Sequence, residues 1–239
     1  MRALRSSLFA TVLFAFAACG KGSKTASPPS APPAAARPAP PAAPTTPAEY
    51  TVIIKSTWTK ASFPLEYPSD AHFSGMIGAS HNARYTLFAV GRKPTKGLER
   101  LSEEGKHSPL NDEIKQAIEQ GTALDLFESG GLKNWQDSMV TTVKVDPAHP
   151  LVDVVNMVAP SPDWFTGATN INLIENGAWV ARRRIVLPAY DSGGDDGTTY
   201  KAGDKDANPK KATTRSTNRH FVVHGTAQPV ATVTFIRKF

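Results

Sequence analysis

Cysteine is almost missing from this 239-residue chain, in which Cys19 is the only one. No intrachain disulfide can form. Also missing is an apolar run long enough to cross a bilayer as a helix, which takes roughly 20 residues. Leu8 to Ala18 (LFATVLFAFAA) falls short of that. No acidic residue precedes Glu49, although Arg2, Arg5, Lys21, Lys24 and Arg37 all lie before it. Taking those five from the 27 bases leaves 22 against 21 acids, so the formal charge of +6 belongs to the leader rather than to the rest of the chain. A nucleic-acid partner calls for a strongly basic domain, and that class is excluded. Glycine-rich phosphate loops, a His-Glu-x-x-His pair and a Gly-x-Ser-x-Gly elbow are absent too, which removes the common sequence grounds for an enzyme. There is no internal repeat.

What is there begins with export. Arg2 and Arg5 form a positive n-region, and the apolar run behind them has the length of a signal-peptide core. Phe16-Ala17-Ala18-Cys19-Gly20 follows, small residues leading into the lone cysteine. This resembles a bacterial lipobox, with Phe16 in place of the usual aliphatic residue. The resemblance implies cleavage after residue 18 and a diacylglycerol on the Cys19 thiol, which makes the membrane the first partner. Gly20 in place of Asp matches outer-membrane or cell-surface sorting. Residues 19–48, including SPPSAPPAAARPAPPAAPTTP, are Pro, Ala, Ser and Thr with no large apolar group to bury, and read as a semi-extended tether.

From residue 49 the composition changes to strands. Thr51–Trp58, Met139–Val145 and Leu151–Val158 are rich in β-branched residues. Ile171–Leu187 contains Asn176-Gly177, a signal for a tight hairpin, and Pro229–Phe239 alternates as a closing strand. Two helical stretches interrupt them. One is Lys96–Glu104; the other is Leu110–Gln120, with Asn111 as N-cap and Gly121 as stop. Many short strands with two short helical insertions predict an all-β fold, an antiparallel β-sandwich spanning 49–239.

Two loops carry the acidic chemistry. Ala159–Thr169 holds Ser161-Pro162-Asp163-Trp164, and Pro188–Thr199 holds Asp191-Ser192-Gly193-Gly194-Asp195-Asp196-Gly197. Two strand lengths and one hairpin separate them, so both emerge at one pole. Convergent carboxylates, with glycines that let backbone carbonyls approach, suit Ca²⁺, which takes 6–8 oxygen ligands. The same loops also read as solvated turns, and they lack EF-hand spacing. Elsewhere, His72 and His81 read as structural hydrogen-bonding residues. His220 and His224, placed on a strand, would sit about 13 Å apart on one face, too far to share a zinc ion.

The stretch from Tyr50 onward resembles the spondin N-terminal domain found in F-spondin and mindin. The matching segments are Tyr67-Pro68 with Ala71–Ser74, Ile77–Ala83, Gly97–Gly105, Pro160–Phe165, and Tyr190-Asp191 through Gly197, in the family's order. The resemblance implies a C2-like antiparallel sandwich with calcium held between the two loops. Carried over, Asp163 and Asp191 are the first ligands and Asp195 a third, with Asp196 adding charge. Animal members act in matrix adhesion. They place acidic residues after the SPDW loop, where this chain has Thr169-Asn170-Ile171-Asn172, and they carry disulfide cysteines that are absent here. The favoured expectation is a lipid-anchored adhesion or binding module for a protein or glycan ligand, with Trp164 or Phe165 facing that ligand, or with Trp164 a core plug beneath the loop. The alternative is an envelope hydrolase acting on glycan or lipid, with Asp163 and Asp191 as its paired carboxylates.

Overall fold

The computed structural model describes residues 42–133 and 138–239. The expected signal peptide (1–18), Cys19 and most of the 19–48 tether lie outside the described residues. In chain order the strands are β1 Ala48–Ser56, β2 His72–Phe73, β3 Ile77–His81, β4 Ala123–Glu128, β5 Leu132–Lys133, β6 Ser138–Val145, β7 Leu151–Ala159 and β8 Trp164–Asn172. There follow β9 Ile174–Glu175, β10 Ala178–Trp179, β11 Arg182–Leu187, β12 Ala189–Asp191, β13 Thr214–Arg215, β14 Val222–Val223, β15 Thr226–Ala227 and β16 Ala231–Arg237. The helices are α1 Lys96–Glu104 and α2 Leu110–Glu119.

Alternation along the strands decides how these elements stack. In β1, Tyr50, Val52 and Ile54 are fully buried, whereas Thr51, Ile53 and Lys55 face the other way. β16 pairs with β1 in register and adds Val233 and Phe235 to the same inner face. One sheet of order β11-β16-β1-β6 results. The second, eight-stranded sheet runs β13-β12-β8-β7-β2-β5, with β3 and β4 joined to β7 off that path. Every pairing is antiparallel. The main core lies between the sheets, where Val52, Ile54, Val154, Val158, Trp164 and Phe235 meet. Each such side chain contributes about 1.5–3 kcal/mol by leaving water.

A second core lies on the opposite face of the larger sheet. Helical spacing puts Leu98 and Leu101 of α1 and Leu110, Ile114 and Ala117 of α2 on one stripe, packed on Ile77, Ala79, Val155 and Phe165. The observed fold is therefore the expected all-β sandwich with two short helical insertions. Among the described residues every buried apolar side chain lies between Tyr50 and Phe235. Residues 42–239 thus hold both cores whole and carry what independent folding requires.

Two local expectations change. Asn111 does not cap α2: the cap is Pro109, with no side-chain hydrogen bond, and Asn111 sits one position inside the helix. Asp112 and Glu113 in the first turn supply the negative charge that a helix N-terminus favours. Gly121 does end the helix, with a left-handed φ of 66°. The Asn176-Gly177 turn has positive φ at both residues (51° and 75°), as a tight hairpin needs. Its strands, β9 and β10, are only two residues each. The chain then leaves for the smaller sheet as β11, and only β12 rejoins β8.

Candidate functional site

That detour still returns the second acidic loop to the first. Asp191, the last residue of β12, is the register partner of Trp164, the first residue of β8. Asp163 stands one residue before β8, so the loops leave the larger sheet at the same end. The expected convergence of Asp163 and Asp191 is observed, by a different path.

Asp163 is the centre of the arrangement, and it is fully buried. Its Oδ2 accepts hydrogen bonds from Ser192 Oγ (2.9 Å) and from the backbone amides of Gly193 (2.9 Å), Gly194 (2.8 Å) and Asp195 (3.2 Å). Three successive amides aimed at one oxygen form an anion-binding nest. The glycines are needed for it. Gly193 has φ of +84°, and a Cβ there would lie 2.5 Å from the Lys211 carbonyl oxygen. A Cβ on Gly194 would lie 2.4 Å from Glu103 Oε1. The expectation that these glycines bring carbonyls toward a cation is therefore corrected: their amides turn inward onto a carboxylate.

The other oxygen of Asp163, Oδ1, is buried with no hydrogen-bond partner. Burial pushes the Asp163 carboxyl above its ordinary range, against the loop amides that pull it down. Asp191 shares the Gly193 amide at 3.0 Å. Burial, together with the Asp163 charge, pushes Asp191 up to about 6. Two close carboxylates that resist ionising together are what a cation would relieve.

Asp195 and Asp196 behave differently. Asp195 accepts from Gly197 N (2.6 Å) and Lys205 N (2.5 Å), so its carboxylate closes its own loop. Asp196 points to the surface and pairs with Lys211 at 2.5 Å. As the side chains stand, no three acidic, histidine or cysteine residues among those described are grouped to hold a metal ion.

Sequence reasoning missed the contribution of α1. Glu103 reaches the pole from the helix, and its Oε1 is buried without a hydrogen bond, 4.0 Å from Lys210 Nζ. Burial pushes it up to about 7; Lys210 opposes this, while Glu99, Asp163 and Asp195 add to it. Lys210 donates to the Gly194 carbonyl (2.9 Å), pairs with Glu99 at 3.0 Å and contacts Asp206. It pins the nest loop to α1. The acidic pair in LSEEG was visible in the sequence, but nothing in its spacing showed that the helix packs beside the loops. A cavity of about 310 Å³ opens here, lined by Glu103, Glu104, Ser161, Pro162, Asp195 and Asp204.

The aromatic residues of this loop are not ligand-facing. Trp164 and Phe165 are both fully buried. As neighbours on a strand they enter opposite faces. Trp164 packs on Phe221 (5.1 Å between ring centres) and Tyr200 (5.4 Å) in the main core. Phe165 packs on Phe88 (5.0 Å) under the helices.

The histidines are built in as well. His81 is buried, with Nε2 2.7 Å from Asp153 Oδ1 and Nδ1 2.8 Å from the Asn82 carbonyl. His72 is exposed and bonds the Asp70 carbonyl. His220 and His224 do not share a strand, because β14 covers only Val222–Val223 between them. His220 lies in a 3₁₀ turn, buried against Glu66 and Asn218, and His224 occupies a left-handed turn position.

A two-sheet sandwich that closes one pole with a carboxylate held in a glycine nest defines the class. The family model described as Spondin_N matches residues 48–225. The chain belongs to that family. Spondin-2 of Rattus norvegicus is 28% identical over 203 residues, covering 80% of this chain and 62% of its own length. Spondin-2 of Homo sapiens is 27% identical over 175 residues, covering 72% and 53%. Spondin-1 of Rattus norvegicus is 28% identical over 171 residues, covering 69% and 21%. The chain thus spans less than two thirds of the length of these relatives.

Proposed function

We propose that the chain is a non-enzymatic binding or adhesion module of the exported cell envelope, held by lipid on Cys19 through the 19–48 segment and stabilised by calcium at the Asp163 pole. The observation that carries the calcium reading is the unpartnered, buried Oδ1 of Asp163 beside a second strained carboxylate, Asp191. Buried polar groups are nearly always satisfied, and an exception marks a place for an ion or water. Asp163 and Asp191 would hold the ion, and a bound divalent charge would keep both carboxylates ionised. Among the described residues no helix is long and apolar enough to cross a membrane. The protein or glycan ligand would be met by exposed loop surface at the pole, since Trp164 and Phe165 are core.

The hydrolase alternative is not supported by the geometry. A catalytic carboxylate must reach substrate, whereas Asp163 is fully buried with Oδ2 surrounded by four donors. The test is the thermal midpoint of residues 42–239 in calcium and in chelator, for wild type, Asp163→Asn and Asp191→Asn. A native-state ligand at about 100 times its Kd adds roughly 2.7 kcal/mol, several degrees of midpoint. Calcium should raise wild type by that amount and neither variant. A wild-type midpoint indifferent to calcium sinks the metal reading.

A further inference from the structure

The outer face of the smaller sheet is unlike the rest of the surface. Register places Arg184, Thr234, Ile53 and Val140 in one row across its four strands, with Arg182 opposite Ile236 and Lys55 opposite Thr232 in the flanking rows. The sheet is about 15 Å wide at ordinary strand spacing. Val140 (56%), Val186 (62%) and Ile236 (37%) are among the few large apolar side chains left this exposed. Arg182, Arg184 and Lys55 stand among them, exposed and in no ion pair among the described residues. The strands carry one outward acid, Glu49, at the far end, and it is paired with Lys238 at 2.7 Å. Among the described residues, the elements of other sheets that this sheet chiefly packs against are β8, β3 and β4 of the larger sheet.

We propose that this face lies flat on an anionic phospholipid surface. Unpaired cations complement phosphate headgroups, and affinity should fall about fivefold for each basic residue removed. Interleaved aliphatics suit the interface beneath the headgroups, as on interfacial amphipathic surfaces. An acidic polymer would be served by the charges alone and would leave the valines without a role. β1 continues directly from the segment that begins at Cys19, so the surface-anchored reading, on which the proposal rests for local concentration, holds this sheet within reach of a bilayer.

The test is sedimentation of residues 42–239 with vesicles of phosphatidylcholine and phosphatidylglycerol at 3:1, and of phosphatidylcholine alone. The untethered domain should bind the anionic vesicles only, and less at high salt. The double variant Arg182→Gln, Arg184→Gln should weaken binding about 25-fold. Val140→Ser with Val186→Ser should weaken it several-fold. Arg100→Gln with Lys106→Gln, on the helical side, should leave it unchanged. These residues are exposed, so an unaltered thermal midpoint certifies the fold. No binding to anionic vesicles overturns the proposal, as does equal loss in the helical-side control or capture by a soluble polyanion without vesicle binding. Anchoring is read separately, from the mass of the full chain at Cys19, so the two ideas fail independently.

Discussion

Asp163→Ala in residues 42–239, unfolded by urea in chelator, measures the nest without any metal. The substitution removes one acceptor shared by three backbone amides and the Ser192 hydroxyl; Gly193 keeps Asp191 Oδ1 and Gly194 keeps Ser192 Oγ, so the Asp195 amide alone is orphaned. An orphaned buried donor costs about 1–3 kcal/mol. Two further amides each lose one of two acceptors and Ser192 can rotate, so the net loss is about 2–4 kcal/mol. That is a large part of the roughly 5–15 kcal/mol that holds a domain together. Asp163→Asn keeps an oxygen for the amides and removes a charge that burial already opposes. It should therefore cost about 1 kcal/mol or less in chelator. In calcium the order is kept but the Asn variant falls further behind, because wild type alone gains the binding energy. Asp196→Ala, which loses only a surface pair with Lys211, should stay within about 1 kcal/mol of wild type. If Asp163→Ala costs no more than Asp196→Ala, the nest does not hold the loop and the reasoning fails.

Trp164→Ala should cost about 3–5 kcal/mol, since it empties the site between Phe221 and Tyr200; a loss under 1 kcal/mol by urea titration would return this residue to the surface. His81 gives the pH dependence. Burial opposes its charge, but Asp153 and the Asn82 carbonyl outweigh that and hold its pKa above the ordinary value. Its contribution is complete below the unfolded value near 6.5 and is lost as pH rises through the raised folded value. The thermal midpoint of wild type should therefore fall toward that of His81→Asn as pH rises above about 6.5, and parallel curves would refute it.

Much of this fold was legible because period-2 alternation states which face is buried. β1, β6, β7 and β16 were each read within three residues of their ends, and α1 was read to the residue, bounded by Thr95 and Gly105. What alternation does not state is which sheet a strand joins. Arg182–Leu187 has the pattern of a strand returning beside β8, yet it pairs with β16, since pairing depends on long-range partners that no local window contains. The same limit applies at the site. Asp163 and Asp191 were legible as convergent because strand polarity fixes which loops share a pole. The direction of each carboxylate was not, because it depends on the positive φ at Gly193 and on Lys210 pinning Gly194 to α1. Trp164 shows the other side of the limit: a large aromatic at a loop mouth reads equally as a plug or a contact, and only the sheet behind it decides. A glycine pair flanked by acids is therefore as much a signature of a carboxylate wrapped by amides as of a cation wrapped by carbonyls. In this chain the first arrangement leaves one oxygen of Asp163 over, and that carboxylate oxygen, rather than a ring of carbonyls, is the ground for proposing a cation.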